Sequence, residues 1–117
     1  MTRRTIYRLQ DILEAIRNIH NLLGGLQFDD MYYNPSLKAA FERFLEIASE
    51  ASRHLPEGMK AQHPGVPWRQ VADLGNALRH AYHKSDAQTL WDVYKNQLDD
   101  LEAAVRAMLT EIPDEEG

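Results

Sequence analysis

Groups able to hold an anion and move a proton gather in one stretch of this chain, Gly75-Asn76-Ala77-Leu78-Arg79-His80-Ala81-Tyr82-His83. An imidazole exchanges protons near neutral pH. A guanidinium presents a planar fork of donors to a phosphate. The spacing adds to this. On a helix turning about 100° per residue from Val71, Leu74, Leu78, Ala81 and Tyr82 fall within about 80° of it and predict a core face. Arg69, Asp73, Asn76, His80 and His83 fall opposite, at about 120–200°, and predict one continuous polar seam. Arg79 falls between seam and core, at about 80°.

Three readings of the seam stand side by side. Every amphipathic helix has a solvated polar face, and this is one. Such faces usually carry Glu and Lys, however, whereas this one carries His, Asn and His with single charges, residues suited to specific hydrogen bonds and proton transfer. A metal site is the third reading, since His80 and His83 are three apart and Asp73 lies two turns below. The His-Glu-x-x-His pattern of a zinc peptidase is missing. Glu50 and His54 have the wrong spacing for the Glu-x-x-His of a di-iron bundle. No serine sits in a nucleophile elbow. The expectation is therefore a site with no metal and no cofactor.

The elements that must position these residues are helices. Ile6, Leu9, Ile12, Leu13, Ile16, Ile19, Leu22 and Leu23 recur at helical spacing and predict a first helix over 3–23, ended by Gly24-Gly25. Residues 26–33 read as a short helix or an ordered connection. Asn34-Pro35 is a helix start, and a second long helix runs to about Leu55 with Leu37, Phe41, Phe44, Ala48 and Ala51 in its stripe. Two prolines and two glycines make 56–66 a loop. Pro67 opens a third helix, continuous to about His83, and Ser85 with Gln88 suggests a capping box for a fourth, to about Ile112. There is no strand signal. The fold expected is all-α, an up-and-down antiparallel four-helix bundle with a possible short extra helix at 26–33. One helical domain spans 1–112, and 113–117 form a solvated acidic tail.

Composition narrows the function classes. The 117 residues suit one domain. The absence of cysteine excludes disulfides, thiolate metal sites and cysteine nucleophiles. No apolar run approaches the roughly 20 residues of a membrane span, and the start of the chain does not read as a signal peptide, so a cytoplasmic location is expected. A net charge of −5 argues against a general nucleic-acid binder. The charge is uneven: residues 53–84 carry +3 and four of the five histidines, whereas 86–117 carry −7. The acidic last third reads as a solubility device or as a docking face for a basic partner.

Pro67-Trp68-Arg69-Gln70, Asn76-x-x-x-His80-x-Tyr82 and Trp91, with Glu50-Ala51 and Arg53-His54-Leu55-Pro56 upstream, resemble the HepT-like family of HEPN-domain proteins over roughly residues 5–109. The resemblance implies a homodimeric all-α ribonuclease toxin that needs no metal and cuts RNA at a cleft shared by two copies. It also implies a small nucleotidyltransferase antitoxin as partner, which can silence the toxin by transferring AMP to the motif tyrosine. Carried over by position, the histidine is His80 and the AMP acceptor is Tyr82. The family's Arg-Asn pair falls on Gly75-Asn76.

The motif arginine is therefore absent, and an arginine stands at position 79 instead. Residues 75 and 79 share a helix face, and helical side chains lean toward the N-terminus. Arg79 is thus expected to lie over Gly75 and fill the space of the family arginine. The other reading is a decayed site that keeps only the fold and partner binding, a non-catalytic HEPN module that binds a nucleotidyltransferase or a nucleotide. In the enzyme reading His80 is the general acid or base, Arg79 offsets phosphate charge and Asn76 orients. Arg69 and His83 are candidate RNA contacts. Tyr82 falls at about 20°, toward the core, whereas an AMP acceptor must reach solvent.

Overall fold

The computed structural model describes residues 2–111. Eight α-helices and no strand are found among them: α1 (Arg3–Leu23), α2 (Phe28–Tyr32), α3 (Pro35–Arg53), α4 (Glu57–Ala61), α5 (Trp68–Ala72), α6 (Gly75–Arg79), α7 (Lys84–Asn96) and α8 (Leu98–Thr110). The long helices α1 and α3 pack along each other, α8 packs on α1, and α7 packs on α2, α6 and α8, so the all-α helical bundle expected from the sequence is the fold. The expected 113–117 tail lies outside the described residues.

Local chemistry sets most of the boundaries. The Thr2 hydroxyl accepts from the Thr5 amide at the start of α1. At its end Gly25 takes φ +82°, a conformation that side chains avoid. The short extra helix exists as α2, and its Asp30 carboxylate accepts from the Gln27 amide at 2.8 Å. Asn34 caps α3 by accepting from the Ser36 and Leu37 amides, with Pro35 in the first turn. The core joins Leu9, Ile12, Ile16 and Ile19 of α1 to Phe41 and Leu45 of α3 and to Leu90, Leu101, Val105 and Met108 of the last two helices. At one end it becomes aromatic. Trp91 lies edge-on to Phe28, Phe41 and Tyr94, with ring centroids 5.1–6.2 Å apart.

Four expectations need correction. The 56–66 connection contains a helical turn, α4. It is held by Lys60, whose buried amine donates to the Ser52 carbonyl at 3.4 Å and pairs with Glu57 at 3.0 Å. The third helix is not continuous over 67–83. The Ala72 carbonyl accepts from the Arg53 Nε–H at 2.9 Å and the Ser49 hydroxyl at 3.3 Å, both on α3, and the helix breaks just beyond it at Asp73-Leu74. Ser85 does not cap the next helix. His83 occupies the cap position in an extended conformation, and its carbonyl receives the Asp86 and Ala87 amides, so Ser85 lies inside α7. The last helix divides at Gln97, whose φ of −127° departs from helical geometry and whose side-chain amide donates to Gln70.

Candidate functional site

The two breaks around α6 create the site. Its five residues run alongside α3, tethered upstream by the Ala72 carbonyl and downstream by a turn over 80–83. Val71, Leu74 and Ala81 are buried, whereas Leu78, also on the expected core face, is half-buried. Arg69, Asp73, Asn76, His80 and His83 are all exposed, so the seam faces solvent but in separate pieces on α5, on α6 and in the turn.

Arg79 behaves as the lean of helical side chains predicts. A Cβ built on Gly75 would lie 3.3 Å from the Arg79 Nη1, so the guanidinium is folded back over the glycine. A second guanidinium arrives there from α3, since the same Cβ would lie 3.6 Å from Arg53 Nη2. Both arginines and Gly75 line a cleft of about 430 Å³ between α3 and α6, whose walls also include Arg43, Glu46, Ser49 and Glu50. Glu46 pairs with Arg43 at 3.0 Å, and Glu50 pairs with Arg53 at 3.5 Å and His54 at 3.0 Å. The His54 hydrogen bond is the main reason the Glu50 carboxyl is held below its ordinary range. Among the described residues no carboxylate pairs with Arg79, which leaves it the unengaged cation of the cleft.

His80 stands on the other side of this corner. Its amide bonds the Asn76 and Ala77 carbonyls and closes α6. Its ring lies 6.2 Å from that of Tyr82 and 6.5 Å from that of His83, close to parallel with the latter. Tyr82 and His83 are 4.2 Å apart. Tyr82 is 68% exposed, which overturns its expected place on the core face. The reason is that α6 ends at Arg79, so helical phase cannot be carried through the following turn. The Tyr82 carbonyl is held by the Tyr32 hydroxyl at 3.1 Å. The structure thus brings Arg79 to Gly75 and His80 to Tyr82 and His83, as two adjoining clusters. Asn76 sits one turn before His80 on α6, and Arg69 is on α5.

Two participants were missed in the sequence. Arg53 was singled out only as part of a family resemblance, and its signal would have been an arginine in the last turn of α3 opposite a helical glycine. Tyr32 is the second, in the 26–33 stretch read only as a short helix or an ordered connection. It does pack on Phe28, but its hydroxyl reaches the turn fifty residues away. No alignment of the local spacing around Tyr32 would have indicated that.

An all-α bundle presenting Asn-x-x-x-His-x-Tyr at an exposed helix end has the architecture of a HEPN-type domain. The family model described as Ribonuclease HepT-like matches residues 12–108, and the chain belongs to the HepT-like ribonuclease family. It is 37% identical to the "Probable ribonuclease HepT" of Thermococcus cleftensis over 80% of this chain and 84% of that protein. It is 31% identical to the "Putative RNase TTE0752" of Caldanaerobacter subterraneus over 86% of this chain and 90% of that protein. No solved structure matches it. Among the described residues no helix is long and apolar enough to cross a membrane.

Proposed function

We propose that this chain is a metal-independent endoribonuclease toxin, working as a homodimer and neutralised by a nucleotidyltransferase antitoxin that adenylylates Tyr82. The observation that carries the catalytic part is the Arg79 guanidinium folded over Gly75, in the space a motif arginine would use, immediately before the exposed His80. Cleavage begins when the 2′-hydroxyl proton passes to an imidazole and the 2′-oxygen attacks the adjacent phosphorus. The bond from phosphorus to the 5′-oxygen breaks, and that oxygen takes a proton from an imidazolium. A 2′,3′-cyclic phosphate and a 5′-hydroxyl result. His80 supplies the imidazole. Arg79, with Arg53 beside it, offsets the charge that builds on the non-bridging oxygens. Asn76 orients the phosphate or the imidazole, and Arg69 and His83 contact the flanking backbone.

One chain directs Arg79 into the cleft and His80 toward the ring cluster. A second copy placing its own His80 near the first supplies both an acid and a base, which a single imidazole cannot be at once. The exposure of Tyr82 supports its role as AMP acceptor, since a transferase must reach its hydroxyl.

The test is expression of the chain alone, with RNA cleavage followed in EDTA. Growth arrest and cleavage by the wild type, both lost in His80→Ala, support the enzyme. A harmless wild-type chain that leaves RNA intact supports the binding module instead. Co-expression with a small nucleotidyltransferase antitoxin should add AMP mass to the wild type and none to Tyr82→Phe.

A further inference from the structure

Two of the most exposed aromatic side chains in the described chain, Tyr33 at 66% and Tyr82 at 68%, sit at the same end of the bundle. Neither contributes to the core. Both are nevertheless fixed from below. Ala81 is buried, and the Tyr82 carbonyl is held by Tyr32. The Tyr32 ring in turn lies edge-on to Tyr33 at 5.0 Å and stacks on Phe28 at 5.5 Å. The His83 ring lies 4.2 Å from that of Tyr82, and the His80 ring 6.2 Å from it.

Cations are interleaved with these rings. Lys84 donates from its amine to the Tyr33 hydroxyl at 3.1 Å and sits 5.1 Å from the Tyr33 centroid and 5.7 Å from that of Tyr32. This hydrogen bond to Tyr33 holds the Lys84 amine above its ordinary range. Lys38 lies 5.9 Å from the Tyr32 centroid. Asp29, on the rim, approaches Lys84 at 3.8 Å.

Rigid rings open to solvent between cations fit unpaired nucleotides. Every base has a face to stack on an aromatic ring, and that face is available only outside a duplex. Attack of a 2′-oxygen in line with the departing 5′-oxygen likewise needs a nucleotide released from helical geometry. We propose that Tyr82 and Tyr33, with Lys84 docked on the Tyr33 ring, form a base-stacking platform on which unpaired nucleotides of the substrate strand lie. The platform adjoins His80, so a base stacked on Tyr82 places its own phosphate next to the catalytic imidazole. The inference rests on the ribonuclease reading for its purpose, and on the platform's geometry for its existence.

Binding of a fluorescent 2′-O-methyl oligonucleotide, which cannot be cleaved, tests the platform apart from catalysis. The full chain should bind the single strand at least tenfold more tightly than a duplex of the same length. Tyr82→Ala and Tyr33→Ala should each weaken single-strand binding about ten- to hundredfold, the loss of one stacked base. Tyr82→Phe and Tyr33→Phe, which keep the rings, should bind within about threefold of the wild type, and the phenylalanine variants separate lost stacking from misfolding. The platform is refuted if both alanine variants, folded by circular dichroism, bind the single strand as the wild type does, or if duplex binds equally well. Cleavage of single-stranded RNA with unchanged KM in both alanine variants overturns the platform and leaves the ribonuclease reading intact. Ring-dependent binding by a chain that cuts no RNA does the reverse.

Discussion

Replacing Gly75 by alanine should make this protein more stable and less active. Gly75 is the first residue of α6 and has no positive φ, so alanine fits its backbone. Alanine favours a helix over glycine by about 1 kcal/mol in an interior position and also restricts the unfolded chain. At a helix start about half of that, near 0.5 kcal/mol, is a reasonable share. Unfolding entropy of about 2.1 cal/mol/K per residue gives about 0.25 kcal/mol/K for a chain of this length, so Tm should rise by about 2 °C. The new methyl meets the Arg79 Nη1 at 3.3 Å and Arg53 Nη2 at 3.6 Å. The first contact is tight, but it falls on the tip of a flexible side chain, so Arg79 gives way and the fold does not. A displaced guanidinium loses part of the roughly 10²–10³-fold that one donor to a developing oxyanion is worth. Activity should therefore fall about tenfold in Gly75→Ala and about a hundredfold in Arg79→Ala, measured as kcat/KM on a short RNA. Arg79→Ala should leave Tm within about 1 °C, because Arg79 is exposed and no carboxylate of the described residues pairs with it. Gly75→Arg should restore activity to Arg79→Ala by supplying a guanidinium from the same helix face. Unchanged cleavage in Arg79→Ala refutes the reasoning. A lower Tm in Gly75→Ala refutes the claim that the glycine serves Arg79.

Other consequences can be checked with the same preparations. Arg53→Ala should lose activity and, unlike Arg79→Ala, about 1 kcal/mol of stability in urea unfolding, because the Ala72 carbonyl loses its 2.9 Å donor. Tyr32→Phe should lower Tm by about 2–4 °C and speed hydrogen exchange at the His83 amide, because the Tyr82 carbonyl loses its only side-chain donor among the described residues. Glu50 titrates below its ordinary range in the folded state because of His54, so its contribution is present above the carboxylate range and disappears as the pH falls through its depressed value. Stability of Glu50→Gln should therefore decline less on acidification than that of the wild type. The raised Lys84 has the opposite sign: its contribution is present below the lysine range and is lost as the pH rises through its folded value, so Tyr33→Phe should flatten the alkaline limb of a stability profile.

The long helices were legible because their information is local. The leucine and isoleucine spacing of α1, the Gly24-Gly25 stop and the Asn34-Pro35 start each act within one or two turns. The lean of Arg79 over Gly75 was legible for the same reason, since both belong to one short helix. What could not be read depends on contacts distant in the chain. The break after Ala72 is imposed by two donors on α3, and the start of α7 at Lys84 accompanies the hold of Tyr32 on Tyr82 and the docking of Lys84 on Tyr33. Periodicity assumed a straight helix over 67–83, and each break reset the phase. The differences fall on the candidate site: the seam is divided, and Tyr82 lies in solvent and not in the core.

That coincidence has a physical basis. A continuous helix through 67–83 would set Tyr82 within about 20° of Val71, in the core, and no transferase or RNA base could reach its ring. Breaking the helix at both ends of α6 changes this without unpacking the bundle, because Val71, Leu74 and Ala81 stay buried and Leu78 stays packed on the core while Asn76, Arg79 and Tyr82 turn outward. The first break needs donors for the Ala72 carbonyl, and Arg53 is one of them. The same side chain extends its Nη2 to Gly75, beside Arg79. Arg53 thus links the break to the cleft between α3 and α6: its Nε–H stabilises the bend, and its Nη2 lies beside Gly75 in that cleft. A lysine at position 53 has one ammonium for two tasks some distance apart. Arg53→Lys should therefore recover either the stability lost in Arg53→Ala or part of its activity, but not both. Full recovery of both would show that a single charge, and not the fork, is what the bend requires.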